Sequence, residues 1–161
     1  MTRNEHIFEF SPVLFDTSII EHKFNNLTTP FTTYFDPRGA HTGFNLNKVE
    51  DFEYAHEMCK EIGIVGRPRF YLLDENVYLV PHVDFGTLCS INILLFTTEN
   101  APVNVEGNEY TYTSCILNTQ KEHSVQNGLN KRILFKISIF EHSYEEVCEK
   151  IKLYEEKIKD R

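Results

Sequence analysis

The stretch from residue 69 to residue 140 constrains this chain most. It breaks into short runs of aliphatic, β-branched and aromatic residues over 70–73, 77–83, 88–96, 103–105, 109–113, 114–117 and 132–140, with Val125 standing between the last two. Turn-forming clusters separate the runs, at Asp74-Glu75-Asn76, Glu99-Asn100-Ala101-Pro102, Glu106-Gly107-Asn108 and Asn127-Gly128. Many short antiparallel strands at this spacing predict a sandwich or jelly roll. The 13 Phe and 8 Tyr suit such an interior, where aromatic rings pack across strands.

Helices flank the strands. Phe52, Ala55, Met58 and Cys59 recur at helical spacing and predict a helix over 49–62, with Asn47 and Glu50 as a capping box and Gly63 and Gly66 as its stop. Val147, Ile151, Tyr154 and Ile158 form the apolar stripe of a second helix over 144–160, capped by Ser143 and Glu146. The charged face of this helix reads as a solvated face. Residues 7–35 read as one or two strands with irregular cover, with turn signals at Asn25-Asn26 and Asp36-Pro37. The fold class is mainly β (α+β), and at 161 residues one domain is the expectation.

Net charge and cysteine placement narrow the partners. A formal charge of −8 argues against a nucleic-acid backbone as partner, although a local groove can still be basic. Cys59, Cys89, Cys115 and Cys148 show no zinc-like spacing and read as reduced thiols. The N-terminal residues lack the apolar run of a secretion signal, and no stretch is long enough to span a bilayer. The expectation is a soluble, cytoplasmic chain with no membrane partner.

Chemistry concentrates in His82-Val83-Asp84, then His123, then Arg132. Side chains alternate along a strand, so His82 and Asp84 project from one face and deliver an imidazole and a carboxylate to one point. A second histidine from a facing strand, His123, would complete a 2-His-1-carboxylate facial triad, which suits non-heme Fe(II) and leaves coordination positions open. Arg132 would offer a planar fork to a carboxylate held near that metal. A lone H-x-D is a weak signal in a chain with seven histidines; the four residues together are stronger. The bland alternatives are a strand-edge histidine bonded to Asp84 and a surface arginine beside Lys131.

Over 67–140 this order resembles the Fe(II)/2-oxoglutarate-dependent oxygenase superfamily, closest to its prolyl and aspartyl/asparaginyl hydroxylases. The resemblance implies a double-stranded β-helix, the cupin-like jelly roll, with supporting helices before and after the barrel. It implies Fe(II) on His82, Asp84 and His123, with 2-oxoglutarate as cosubstrate and O2 as oxidant. Arg132 would bind the distal carboxylate of 2-oxoglutarate. Asn92, a polar break in the run 91–96, and Tyr71, on the strand before His82, are further candidate cosubstrate contacts; ordinary core packing is the competing reading of each. Lys136 shares the strand face of Arg132 and is either inward or snorkelling, where family members usually carry a smaller or neutral residue. Arg67 and Arg69 lie near the expected barrel mouth, where they would meet an acidic substrate. His41-Thr42-Gly43-Phe44 reads as a loop, either lining the entrance or on the surface. The other histidines, His6, His22, His56 and His142, show no ligand spacing.

In related halogenases a small residue replaces the carboxylate of the triad, so Asp84 implies hydroxylation. The activity implied is hydroxylation of an unactivated C–H bond, with a protein or peptide side chain the first substrate expectation and a small molecule the second. Two alternatives stay open: a cupin-like metalloenzyme that does not use 2-oxoglutarate, and a catalytically silent jelly-roll interaction module.

Overall fold

In the computed structural model the described residues are 1–160 apart from Asp36, 97–100 and the side chain of His41. Their elements in chain order are β1 (Ile7–Glu9), α1 (Thr17–Asn25), β2 (Thr32–Phe35), β3 (His41–Lys48), α2 (Glu53–Ile62), β4 (Arg67–Leu73), β5 (Tyr78–His82), β6 (Cys89–Leu95), β7 (Val103–Val105), β8 (Asn108–Tyr110), β9 (Ser114–Leu117), β10 (His123–Gln126), β11 (Arg132–Ile139) and α3 (Tyr144–Lys159). The expected turns at Asp36-Pro37 and at 99–102 fall partly outside the described residues.

Two antiparallel sheets result. The larger runs β1-β9-β6-β11-β4-β3-β2 and the smaller β5-β10-β7-β8. They pack face to face without sharing a strand, so the jelly roll is a two-sheet sandwich rather than a closed barrel.

Strand alternation divides the large sheet into two chemically different faces. Along β11, Phe135, Ile137 and Ile139 turn to one side. There they join Phe70, Ile91 and Ile93 in a core with Ile20 of α1, Ala55, Met58 and Ile62 of α2, and Val147 and Ile151 of α3. The opposite face carries Arg132, Lys136 and Ser138 among its members, and these line the space toward the small sheet. A second apolar cluster closes one part of that space, with Ile7, Leu73, Leu94, Cys115 and Leu117 meeting Val103, Val105 and Val125. The face lacking helices is therefore the one that holds polar groups.

Local sequence explains several element ends. Ser143 caps α3 by accepting from the Glu146 N–H, as its spacing predicts. Gly63 ends α2 at φ 90°, a left-handed position where a Cβ is costly. Between β7 and β8, Glu106 and Gly107 take φ of 49° and 88°, the positive pair that a tight hairpin turn demands.

Three expectations are corrected. Helix α2 begins at Glu53, with no side-chain cap. Asn47 cannot cap it because it lies in β3 and donates to the Thr29 carbonyl. Residues 41–44 are strand, not loop. Asn45 and Asn47 hide the alternation of β3 because both are buried polar residues with hydrogen-bond partners. The 7–35 region contains a helix, α1, capped by Asp16, besides its strands. It buries only Ile20 and so leaves little periodic signal.

Candidate functional site

A cavity of about 620 Å³ lies between the sheets, and His82, Asp84, His123, Arg132, Asn92 and Tyr71 all line it. That volume falls in the range of small-molecule sites.

His82 is the last residue of β5, and β10 begins at His123, which stands directly opposite it in register. The second imidazole thus comes from the neighbouring strand of the same sheet, not from a facing one. Asp84 lies just beyond β5, and its N–H is held by the Thr119 carbonyl at 3.1 Å. The three side chains offer one ligand atom each, all within 4.8 Å of one another. Oδ1 of Asp84 is 3.3 Å from Nε2 of His82 and 3.2 Å from Nε2 of His123. Two ligands at right angles about 2.1 Å from a common ion stand about 3.0 Å apart. The spacing fits a shared divalent metal.

The orientation fits as well. Nδ1 of His82 is 2.7 Å from the Val80 carbonyl, and Nδ1 of His123 is 2.8 Å from that of Lys121. A backbone carbonyl accepts only an N–H, so Nδ1 carries a proton and Nε2 faces the carboxylate. The side chains of His123 and Asp84 are 5% and 20% exposed and that of His82 is 34% exposed, so the triad runs from the cavity wall to its mouth.

Lys136 reaches across from the large sheet. Its Nζ is 3.4 Å from Oδ2 of Asp84 and 4.9 Å from the Tyr71 ring centroid. Burial alone would raise the Asp84 carboxyl, but Lys136 and the two imidazoles outweigh it and hold the group well below the usual carboxylate range. Burial works against the Lys136 charge too, and Asp84 outweighs it, so its ammonium is held above its ordinary value. The Asp84 carboxylate also raises the His82 imidazole, against the effect of burial. Lys136 therefore occupies one carboxylate oxygen and leaves the other to the histidines.

Arg132 is buried on the same face. Its Nη1 donates to the Ala101 carbonyl at 2.7 Å and its Nη2 to the Tyr112 hydroxyl at 3.2 Å. A guanidinium has five N–H donors, so the fork keeps donors for a further acceptor. Asn92 accepts from the Ser90 hydroxyl at 2.8 Å and donates to the Tyr112 hydroxyl at 3.3 Å. Tyr71 packs on Phe44 with ring centroids 4.9 Å apart. Tyr112 links Asn92 and Arg132, and sequence reasoning missed it: it lies beyond the end of β8, where alternation no longer reports direction.

A second group also escaped the sequence reading. Glu5, His6 and Glu106 gather within 4.8 Å, away from the cavity. His6 is buried, with Nδ1 2.7 Å from the Tyr110 hydroxyl and Nε2 2.9 Å from Glu106. Both ring nitrogens are thus engaged within the protein.

No family model matches the sequence, and no curated protein matches it. Solved structures do resemble the fold. A prolyl hydroxylase from Trichoplax adhaerens, in complex with a hypoxia inducible factor oxygen degradation domain peptide fragment, aligns at TM-score 0.62 and 10% identity over 83% of this chain and 82% of its own. A Pseudomonas putida prolyl-4-hydroxylase aligns at 0.60 and 10% identity over 86% and 95%. An oxidoreductase of the 2OG-Fe(II) oxygenase family from Burkholderia pseudomallei aligns at 0.56 and 12% over 81% and 82%. The resemblance read in the sequence holds at the level of the fold. No helix among the described residues is long and apolar enough to cross a membrane.

Proposed function

We propose that this protein is an Fe(II)- and 2-oxoglutarate-dependent dioxygenase that hydroxylates an unactivated C–H bond, with an amino-acid side chain in a protein or peptide as its substrate. One observation carries the reading: two Nε2 atoms and one carboxylate oxygen converge at metal-ligand spacing in a cavity whose opposite wall is cationic. When bound, iron, 2-oxoglutarate and O2 supply the oxidising chemistry, converting the cosubstrate to succinate and CO2 while one oxygen atom enters the substrate.

The chain's own residues do the rest. His82, Asp84 and His123 hold the metal, each imidazole fixed in tautomer by its backbone carbonyl. Lys136 pins Oδ2 of Asp84 and presents Oδ1 to the metal. Arg132 takes the distal carboxylate of 2-oxoglutarate, where a planar fork fixes distance and tilt together. Asn92 and Tyr112 hold the polar end of the cavity; Leu79, Val103, Leu117, Val125 and Leu134 line the wall that keeps water out.

The test is succinate release, scored against peptides and small molecules over the uncoupled background, with labelled O2 and chloride present. A product heavier by one O2-derived oxygen, matched by succinate, supports the assignment, and Asp84→Gly should abolish it. Turnover without 2-oxoglutarate, or a chlorinated product from the unmutated protein, would sink it.

A further inference from the structure

Among the described residues, one cation of the cavity wall has no anionic counterpart. Arg69, Lys136 and Asn92 are paired in register across β4, β11 and β6, and Lys48 of β3 stands opposite Arg69 on its other side. Three basic residues therefore occupy adjacent places on one rung of one sheet face. Directly opposed like charges destabilise a sheet. Lys136 is relieved by Asp84, and Lys48 is exposed to solvent. Arg69 is neither relieved nor fully solvated. It is partly buried, it lines the cavity, and its Nε is buried with no hydrogen-bond partner. Its guanidinium carbon stands 5.8 Å from the centroid of the Phe140 ring, which Arg67 also approaches at 5.0 Å.

An unmatched guanidinium in a cavity wall is a standing cost unless a ligand removes it. We infer that Arg69 receives a carboxylate of the primary substrate, so that the substrate class is an anionic one: an acidic side chain, or the free carboxylate of a small amino acid. The inference rests on the proposed reading of the cavity. There the two internal cations are already committed, Lys136 to Asp84 and Arg132 to the cosubstrate, which leaves Arg69 for the substrate. A single guanidinium carries one uncompensated charge and matches a carboxylate; a phosphate monoester brings about 1.5 to 2 negative charges and would leave an excess. Exposed Val83 and Phe85 line the same cavity beside Asp84, adding an apolar contact for the body of such a substrate.

The experiment measures binding, not turnover. The protein, alone and loaded with Mn(II) and 2-oxoglutarate, is titrated by calorimetry with N-acetyl aspartate and glutamate amides against their asparagine and glutamine counterparts. Free L-proline and L-leucine against their amides, and a phosphoserine peptide, complete the panel. In the wild type the acid should bind about 10- to 150-fold more tightly than its amide, the worth of a hydrogen bond to a charged group. The side-chain and free-amino-acid arms separate the two sources of carboxylate. Arg69→Met should erase the preference, and Arg69→Lys, which keeps the charge without the fork, should retain part of it. Arg69→Met should also melt no lower than the wild type, because it removes an opposed like charge. Equal binding of acid and amide, preference for the phosphopeptide, wild-type discrimination in Arg69→Met, or a lowered melting point would each overturn the assignment. Failure of Mn(II) or 2-oxoglutarate to bind counts instead against the proposed function.

Discussion

At the scale of single residues the site is a set of divided duties. Oδ1 of Asp84 meets both imidazoles and Oδ2 meets Lys136, so one carboxylate would serve a bound metal and the cation at once. His82→Ala and His123→Ala should each weaken Fe(II) binding by more than the about 10- to 100-fold that losing an outer partner costs. Wild-type affinity in either variant, measured by calorimetry, would remove the metal assignment. Arg132→Ala should spare Fe(II) and raise the 2-oxoglutarate dissociation constant about 10- to 150-fold. An unchanged constant would pass the role to Lys136, the other buried cation on that wall. Sequence spacing alone left Lys136 either inward or snorkelling. The Asp84 contact resolves this, and it joins residues 52 apart in the chain.

Among the elements, α3 and β11 show how local signals set global geometry. The Ser143 hydroxyl accepts from the Glu146 N–H, one of the donors that a helix start leaves without a partner. Ser143→Ala should cost about 1 kcal/mol, read as a lower midpoint in thermal or urea unfolding. No change would mean that packing of Val147 and Ile151 alone holds the first turn. In β11 the alternation of apolar and polar residues from Phe135 to Ile139 aims Ile137 at the helices and Lys136 at the cavity. The same alternation is obscured in β3, where Asn45 and Asn47 sit on the buried, helix-side face. It is absent from α1, whose single buried residue gives a helix almost no stripe. Elements are legible where one face is apolar and illegible where burial is carried by hydrogen-bonded amides, as in β3, or by a single residue, as in α1.

Across the whole molecule, the helix-backed core supports the sheet from which the cationic wall projects. Ile137 is fully buried in that core. Ile137→Ala should cost about 2–5 kcal/mol by the transfer and cavity terms, with the loss read in urea unfolding. A cost under 1 kcal/mol would mean that the core collapses around the gap. Metal binding should act on stability in the opposite sense. At a hundredfold excess over its dissociation constant a ligand that binds only the folded state adds about 2.7 kcal/mol. Mn(II) should therefore raise the unfolding midpoint of the wild type and leave that of His123→Ala unmoved. An equal rise in both would place the ion elsewhere, with Glu5, His6 and Glu106 the next group to test.

The chain by itself determined the β-rich class, the strands of the central region, the terminal helix and the residue types able to bind a metal. These follow from periodicity and side-chain chemistry, which are local. Only the tertiary structure decided that His123 pairs with His82 on a neighbouring strand, that the sheets remain unclosed, and that Tyr112 ties Asn92 to Arg132. It alone placed Arg69 beside Lys136 with no anion among the described residues to balance it. Register and sheet order arise from contacts between distant segments, and no short-range pattern in the chain encodes them.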